Sequence, residues 1–165
     1  MLVIVFVAVF IGVFLLARSL KPSEAEYEFQ GVRVLCAACG GDAQAALRAA
    51  LAKPKVLMRQ ELVGANSSKN SVIAIVSGQI AANFRALNKT LYAFGVVDGK
   101  PLIECNEYTD YCSNQSIEVA VGACNCVRID ALRGVVRVEG SEEWFSENNY
   151  ARVMTIAGII GGAIS

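Results

Sequence analysis

The stretch "SVIAIVSGQIAANFRALNK", Ser71–Lys89, decides the fold class. Its opening residues are dense in β-branched side chains, which favours a strand. Yet Val72, Ile75, Val76, Gln79, Ile80, Phe84 and Leu87 recur at three and four residues, the spacing of one helix face. That stripe runs far beyond the length of a strand, so the segment reads as a helix. The preceding "VGANSSKN" is a loop that ends in capping residues.

Upstream, "YEFQGVRVL" (Tyr27–Leu35) reads as a strand with a turn or bulge at Gly31. Cys36-Ala-Ala-Cys39 and two glycines follow. Asp42 then stands at an N-cap position before "AQAALRAALAK", an alanine-rich helix that Pro54 ends. "KVLMRQEL" (Lys55–Leu62) alternates as a strand does. Downstream of Asn88 the character changes. "LYAFGVV", "PLIEC", "SIEVAVG", "CNCVRID" and "VVRVEG" are short β-rich runs between turn-like segments. The tail "ARVMTIAGIIGGAIS" is apolar but too short to span a bilayer, and reads as a last helix or strand on the core. The order β-α-β-α followed by strands predicts an α+β fold: a two-layer domain with two helices on one face of a mixed sheet.

The chain has 165 residues, enough for one domain beside a short extra segment. Fifteen basic and fifteen acidic residues cancel, so no basic excess points to nucleic acid. Histidine is absent. That removes the commonest general base and the commonest nitrogen ligand of zinc, and excludes Ser–His and Cys–His hydrolases of the usual kind. Nothing calls for a cofactor.

"MLVIVFVAVFIGVFLLA" (Met1–Ala17) has no charged side chain. As a helix it rises about 25 Å, and with Arg18–Leu20 it just crosses a bilayer core. A cleaved signal peptide needs a charged start and a small-x-small cleavage site, both missing here. Residues 1–20 therefore read as a transmembrane signal-anchor, 21–26 as a linker and 27–165 as the domain. Arg18 and Lys21 favour a cytoplasmic domain by the positive-inside rule. Six cysteines, and glycosylation sequons at Asn66, Asn88 and Asn114, favour the other side. The expected location is outside the cytoplasm, with the membrane as one partner and a protein as another.

The cysteines fall into local groups: Cys36 and Cys39, Cys105 and Cys112, Cys124 and Cys126. Strand, C-x-x-C and helix in that order are the layout of a thioredoxin-type dithiol, with Cys36 and Cys39 as catalytic pair. The usual preceding aromatic residue is absent, and Gly40-Gly41-Asp42 displace the helix start. A second reading has Cys36, Cys39, Cys124 and Cys126 as four thiolates for zinc or an iron–sulfur cluster. A third has all six in structural disulfides. Cys36 then closes on Cys39, while Cys124 and Cys126, expected on one strand face, pair with Cys105 and Cys112. The third reading is preferred, since the even count suits an oxidising location. Other chemistry is thin. Glu104, Glu107 and Asp110 read as a solvated loop rather than a cation site, and Trp144 and Phe145 as cover for the core edge.

"NSVIAIVSGQIAANFRALNKTLYAFG" and "YCSNQSIEVAVGACNC" with "VRVEG" resemble uncharacterised archaeal proteins with one N-terminal span and a small cysteine-bearing domain. The resemblance covers Asn70–Gly140, about half of the chain. It implies an archaeal envelope protein and transfers no catalytic residue. In an archaeal thermophile the location argument weakens, because such organisms keep disulfides inside the cell. The expectation is a membrane-anchored, disulfide-stabilised, non-catalytic binding or assembly protein. A membrane-tethered thiol–disulfide oxidoreductase and a cysteine-ligated metal protein are the alternatives.

Overall fold

The computed structural model describes residues 24–64, 67–102, 115–146 and 150–164. They form one eight-stranded mixed sheet with helices on it, an α+β architecture. The strands are β1 (Glu24–Phe29), β2 (Val32–Ala37), β3 (Val56–Leu62), β4 (Leu91–Val97), β5 (Lys100–Pro101), β6 (Ile117–Val121), β7 (Cys126–Asp130) and β8 (Val135–Gly140). The helices are α1 (Ala43–Leu51), α2 (Ser68–Ala86), α3 (Glu142–Ser146) and α4 (Tyr150–Ile164). The sheet order is β1-β2-β7-β8-β6-β3-β4-β5. Antiparallel pairs stand at both edges and at β7–β8, and the remaining neighbours are parallel.

Local chemistry explains the elements. The expected strand at Tyr27–Leu35 is a hairpin: Gln30 and Gly31 both take positive φ, as a tight two-residue turn requires. β1 takes in Glu24–Glu26, which had been assigned to the linker. Asp42 caps α1 by accepting from Ala45 N–H at 2.8 Å. The Ser71–Lys89 segment is helical as far as Ala86, entered through a Ser67 cap and closed at Leu87. Its buried face is Ile73, Val76, Ser77, Ile80 and Phe84, while Ile75 is exposed. α2 links the parallel neighbours β3 and β4, and such a pair needs a crossover rather than a hairpin.

The described residues hold four helices where two were expected. Both additions lie after β8. The apolar tail is α4, which buries Val153, Ile156, Ala157 and Ile160 at helical spacing. α3 carries Trp144 and Phe145. Phe145 is buried, and Trp144 packs edge-on against it at 5.0 Å, so this pair covers the core.

Period-two alternation sorts the strand residues. Val32, Val34 and Cys36 of β2, Val127 and Ile129 of β7, and Val136 and Val138 of β8 join the helices in one core. The opposite face bears no helix among the described residues. It carries a small buried cluster of Leu57, Phe94 and Val96, and beside that a ladder of charges. No helix among the described residues is long and apolar enough to cross a membrane; the expected anchor at 1–20 lies outside them.

Candidate functional site

The cysteines were the foremost candidates, and two pairs are closed. Cys36 bonds to Cys39, with Cα atoms 5.8 Å apart, and Cys124 bonds to Cys126, with Cα atoms 5.3 Å apart. The second bond corrects the expected pairing of Cys124 and Cys126 with Cys105 and Cys112. β7 begins at Cys126, so Cys124 lies in the turn before it rather than on the strand. Asn125 between them has φ +52°, which curls the chain until the two side chains meet. Ala38 does the same inside the first pair, with φ +59°. Residues other than glycine and asparagine are seldom found there. Cys105 and Cys112, Glu104, Glu107 and Asp110, and the sequons at Asn66 and Asn114 lie outside the described residues. Asn88 is exposed just past the end of α2.

The pairs occupy opposite faces of the sheet. Cys36 belongs to the helix-side core, fully buried, with Cys39 half-buried beside it. Cys126 is fully buried on the other face, level with Arg33 of β2 and Glu139 of β8. Cys36 stands three residues beyond Arg33 along β2, about 10 Å away. The four sulfurs therefore do not converge into one thiolate site. Among the described residues, no group of three or more cysteines and carboxylates is placed to hold a metal ion.

The second pair is set in a polar network. Arg33 Nη2 donates to Cys124 O at 2.8 Å and lies 3.8 Å from Cys124 Sγ. Cys124 N–H donates to Glu139 Oε1 at 3.2 Å, and Ser141 N–H donates to Asn125 Oδ1 at 2.7 Å. Arg137 then bridges two carboxylates at 3.0 Å each, Nε to Glu139 Oε2 and Nη1 to Glu118 Oε2. Gln115 donates to the other Glu118 oxygen at 2.8 Å. Burial alone pushes the Glu139 carboxyl up. The Arg137 and Cys124 hydrogen bonds, with the Arg137 and Arg128 charges, outweigh it and hold the group below the usual carboxylate range. Burial likewise pulls the Arg137 guanidinium down, and its bonds to Glu139 and Glu118 raise it overall. Neither carboxylate of this network was singled out from the sequence. The signal was there, as Glu118 and Glu139 interrupt strongly apolar strands.

Near the first pair, on the helix side, a groove of about 480 Å³ runs between β1, α1 and α4. Phe29, Val34, Leu47, Ile129 and Ile159 make it apolar, and the Tyr27 ring stands in it with its hydroxyl donating to Gly41 O at 3.1 Å. Asp42 and Gln44 supply polar residues at its rim, while Glu28, which also borders it, alternates to the sheet face that carries Arg33. Its volume lies in the range of ordinary ligand pockets. Neither cysteine lines it, although Gly41 and Asp42 directly follow the Cys36–Cys39 loop.

Comparison with protein families, curated proteins and solved structures finds no match to this chain.

Proposed function

We propose that the chain is a disulfide-braced binding or assembly domain without catalytic chemistry of its own, anchored in a membrane through residues 1–20 and working outside the cytoplasm. The observation that carries this reading is the state of the cysteines. Each described pair is closed on itself in a turn whose backbone is already bent to suit it, and each keeps one sulfur on a fully buried residue. Burial of one partner in each pair confines attack by an external thiolate to the half-buried sulfurs of Cys39 and Cys124. The groove, by contrast, leaves room for a ligand.

A thiol–disulfide oxidoreductase is the second reading, and the half-burial of Cys39 favours it. A substrate thiolate would attack Cys39 Sγ, and Cys36 would leave with the electron pair of the broken S–S bond. A second substrate thiol would then displace Cys39, giving a substrate disulfide and a reduced pair. The two readings separate on the full chain in detergent, incubated with glutathione and a peptide dithiol. The binding reading predicts no exchange faster than the uncatalysed rate and no alkylation of Cys36 or Cys39 without denaturant. Turnover that is lost in Cys39→Ser would establish the oxidoreductase instead.

A further inference from the structure

We propose that the end of the sheet at which the chain enters docks on anionic lipid headgroups, through Lys53, Lys55, Lys89 and Arg133, with Leu132 dipping between the lipids. The inference rests on the reading of residues 1–20 as an anchor and names the surface of the domain that meets the membrane.

Strand register defines that end. β1, β3, β4, β6 and β8 start there, and β2 and β7 finish there. Glu24 is the first residue of β1, and only residues 21–23 separate it from the end of the anchor. An extended chain covers about 3.6 Å per residue, so Glu24 stands at most ~14 Å from Leu20. The headgroup layer is itself about 5–8 Å deep. This end is therefore held beside the headgroups, while the far end of β3 and β4 lies about 20 Å further along the strands.

The end held near the membrane is basic. Lys53 and Lys55 lie between α1 and β3, Lys89 just before β4, and Arg133 in the turn from β7 to β8. Lys55, Lys89 and Arg133 are exposed. Lys53, half-buried, donates from Nζ to Gly134 O at 3.4 Å and ties its segment to that turn. Lys53, Lys89 and Arg133 form no ion pair with any described residue. Of the described carboxylates at this end, Glu24 is neutralised by Arg128. Asp42 and Asp130 accept backbone N–H groups from Ala45 and Arg133, and the basic side chains outnumber them. At the opposite end the balance reverses, with Asp98, Glu142 and Glu143 against Lys69 and Lys100. The surface is broad: Arg133 and Lys89 stand about 17 Å apart across the sheet order.

Leu132 adds the apolar part. At 79% exposure it is the barest of the large exposed hydrophobic side chains described, and it sits in the β7–β8 turn beside Arg133. That turn is made by Asp130, which accepts from Arg133 N–H, and by Gly134 at φ +63°, so its geometry does not call for leucine. An apolar side chain among basic ones suits the headgroup layer, where cations meet phosphates and a leucine reaches the acyl boundary.

The test uses the full chain in nanodiscs doped with a gadolinium-chelate headgroup lipid. One set is phosphatidylcholine, and the other is phosphatidylcholine with an equal part of phosphatidylglycerol. Broadening of backbone amides is read by NMR at Leu132, Arg133 and Thr90 on this end, and at Gly31 and Gly99 on the other. Thr90 is the decisive probe, because β4 lies about 29 Å from β1 and the tether alone does not bring it to the lipid. The expected result in anionic discs is strong broadening at Leu132, Arg133 and Thr90 and little at Gly31 and Gly99. Each basic side chain near an anionic surface shifts the docked population about fivefold, so neutral discs lower the effect at Thr90 by about that factor or more. Lys55→Gln, Lys89→Gln and Arg133→Gln together give the neutral-disc result in anionic discs. Leu132→Ser weakens the broadening at Arg133 and leaves the thermal midpoint unchanged. Equal broadening in the two disc types, no loss in the triple variant, or Gly31 and Gly99 broadened as strongly as Leu132 overturns the inference. Failure of the anchor reading is distinguishable: the chain then elutes apart from the discs, and this inference falls with it.

Discussion

Replacing Arg137 with methionine removes the hub of the charged ladder and keeps most of its volume. The wild-type guanidinium holds Glu118 and Glu139 at 3.0 Å each, on side chains only 10% and 20% exposed. Stripping one partner from a buried pair costs about 3–5 kcal/mol. Arg137 itself is one-third exposed, so solvent screens part of this and about 2–3 kcal/mol remains. For a domain of this size the loss corresponds to a midpoint lower by roughly 6–12 °C. Arg128 lies directly opposite Arg137 across β7–β8, and its pair with Glu24 is nearly half-exposed on both sides. Arg128→Met is therefore the control, expected to cost less than about 1 kcal/mol. The assay is thermal and urea unfolding of the full chain at pH 7 and again near pH 3.5. Glu139 is held below its ordinary value, so its contribution is present above that value and is lost as pH falls through the lowered one. The penalty of Arg137→Met must then shrink in acid. A loss under about 0.5 kcal/mol at pH 7, or one equal at both pH values, would refute the account of the ladder.

Other expectations concern backbone and cross-links. Cys124→Ser with Cys126→Ser opens a three-residue loop, and chain entropy sets the cost at about 1.6 kcal/mol, read by urea unfolding. A link from Cys112 to Cys124 would close a loop of about 13 residues and cost ~3 kcal/mol. Ala38→Gly relieves an L-residue at φ +59° and raises stability by about 0.5 kcal/mol after glycine's own entropy is counted. Asn125→Gly has the opposite sign, since it loses the bond from Ser141 N–H, and lowers stability by about 1 kcal/mol. Gly158→Ala stabilises α4 by roughly 0.5–1 kcal/mol in thermal unfolding, because nothing obstructs the added methyl.

Local chemistry was the legible part of the sequence. Asp42 announced its cap, and the long stripe through Phe84 announced a helix although β-branched residues crowd its start. The orientation of that helix was harder. With Val72, Ile73, Ile75 and Val76 all apolar, several faces compete, and contact with the sheet selects Ile73 and Val76 while leaving Ile75 in solvent. The tail was ambiguous because glycines dilute its period, yet Val153, Ile156, Ala157 and Ile160 suffice to bury one side. Cys36–Cys39 was legible from its spacing, but the partner of Cys124 was not, for a different reason. It turns on the φ of Asn125, a backbone choice made by the hydrogen bonds of Ser141 and Glu139 from distant parts of the chain. The Glu118–Arg137–Glu139 ladder depends on β6 lying beside β8, and nothing local specifies that adjacency. The groove arises in the same way, from β1, α1 and α4 meeting.

The most direct test is peptide mapping of the full chain, alkylated without reduction and digested between the cysteine groups. The predicted result is Cys36 bonded to Cys39 and Cys124 bonded to Cys126, each within its own peptide and with no metal in stoichiometric amount. A bond from Cys124 or Cys126 to Cys105 or Cys112, or a stoichiometric thiolate-bound zinc or iron, would contradict the account of two local braces.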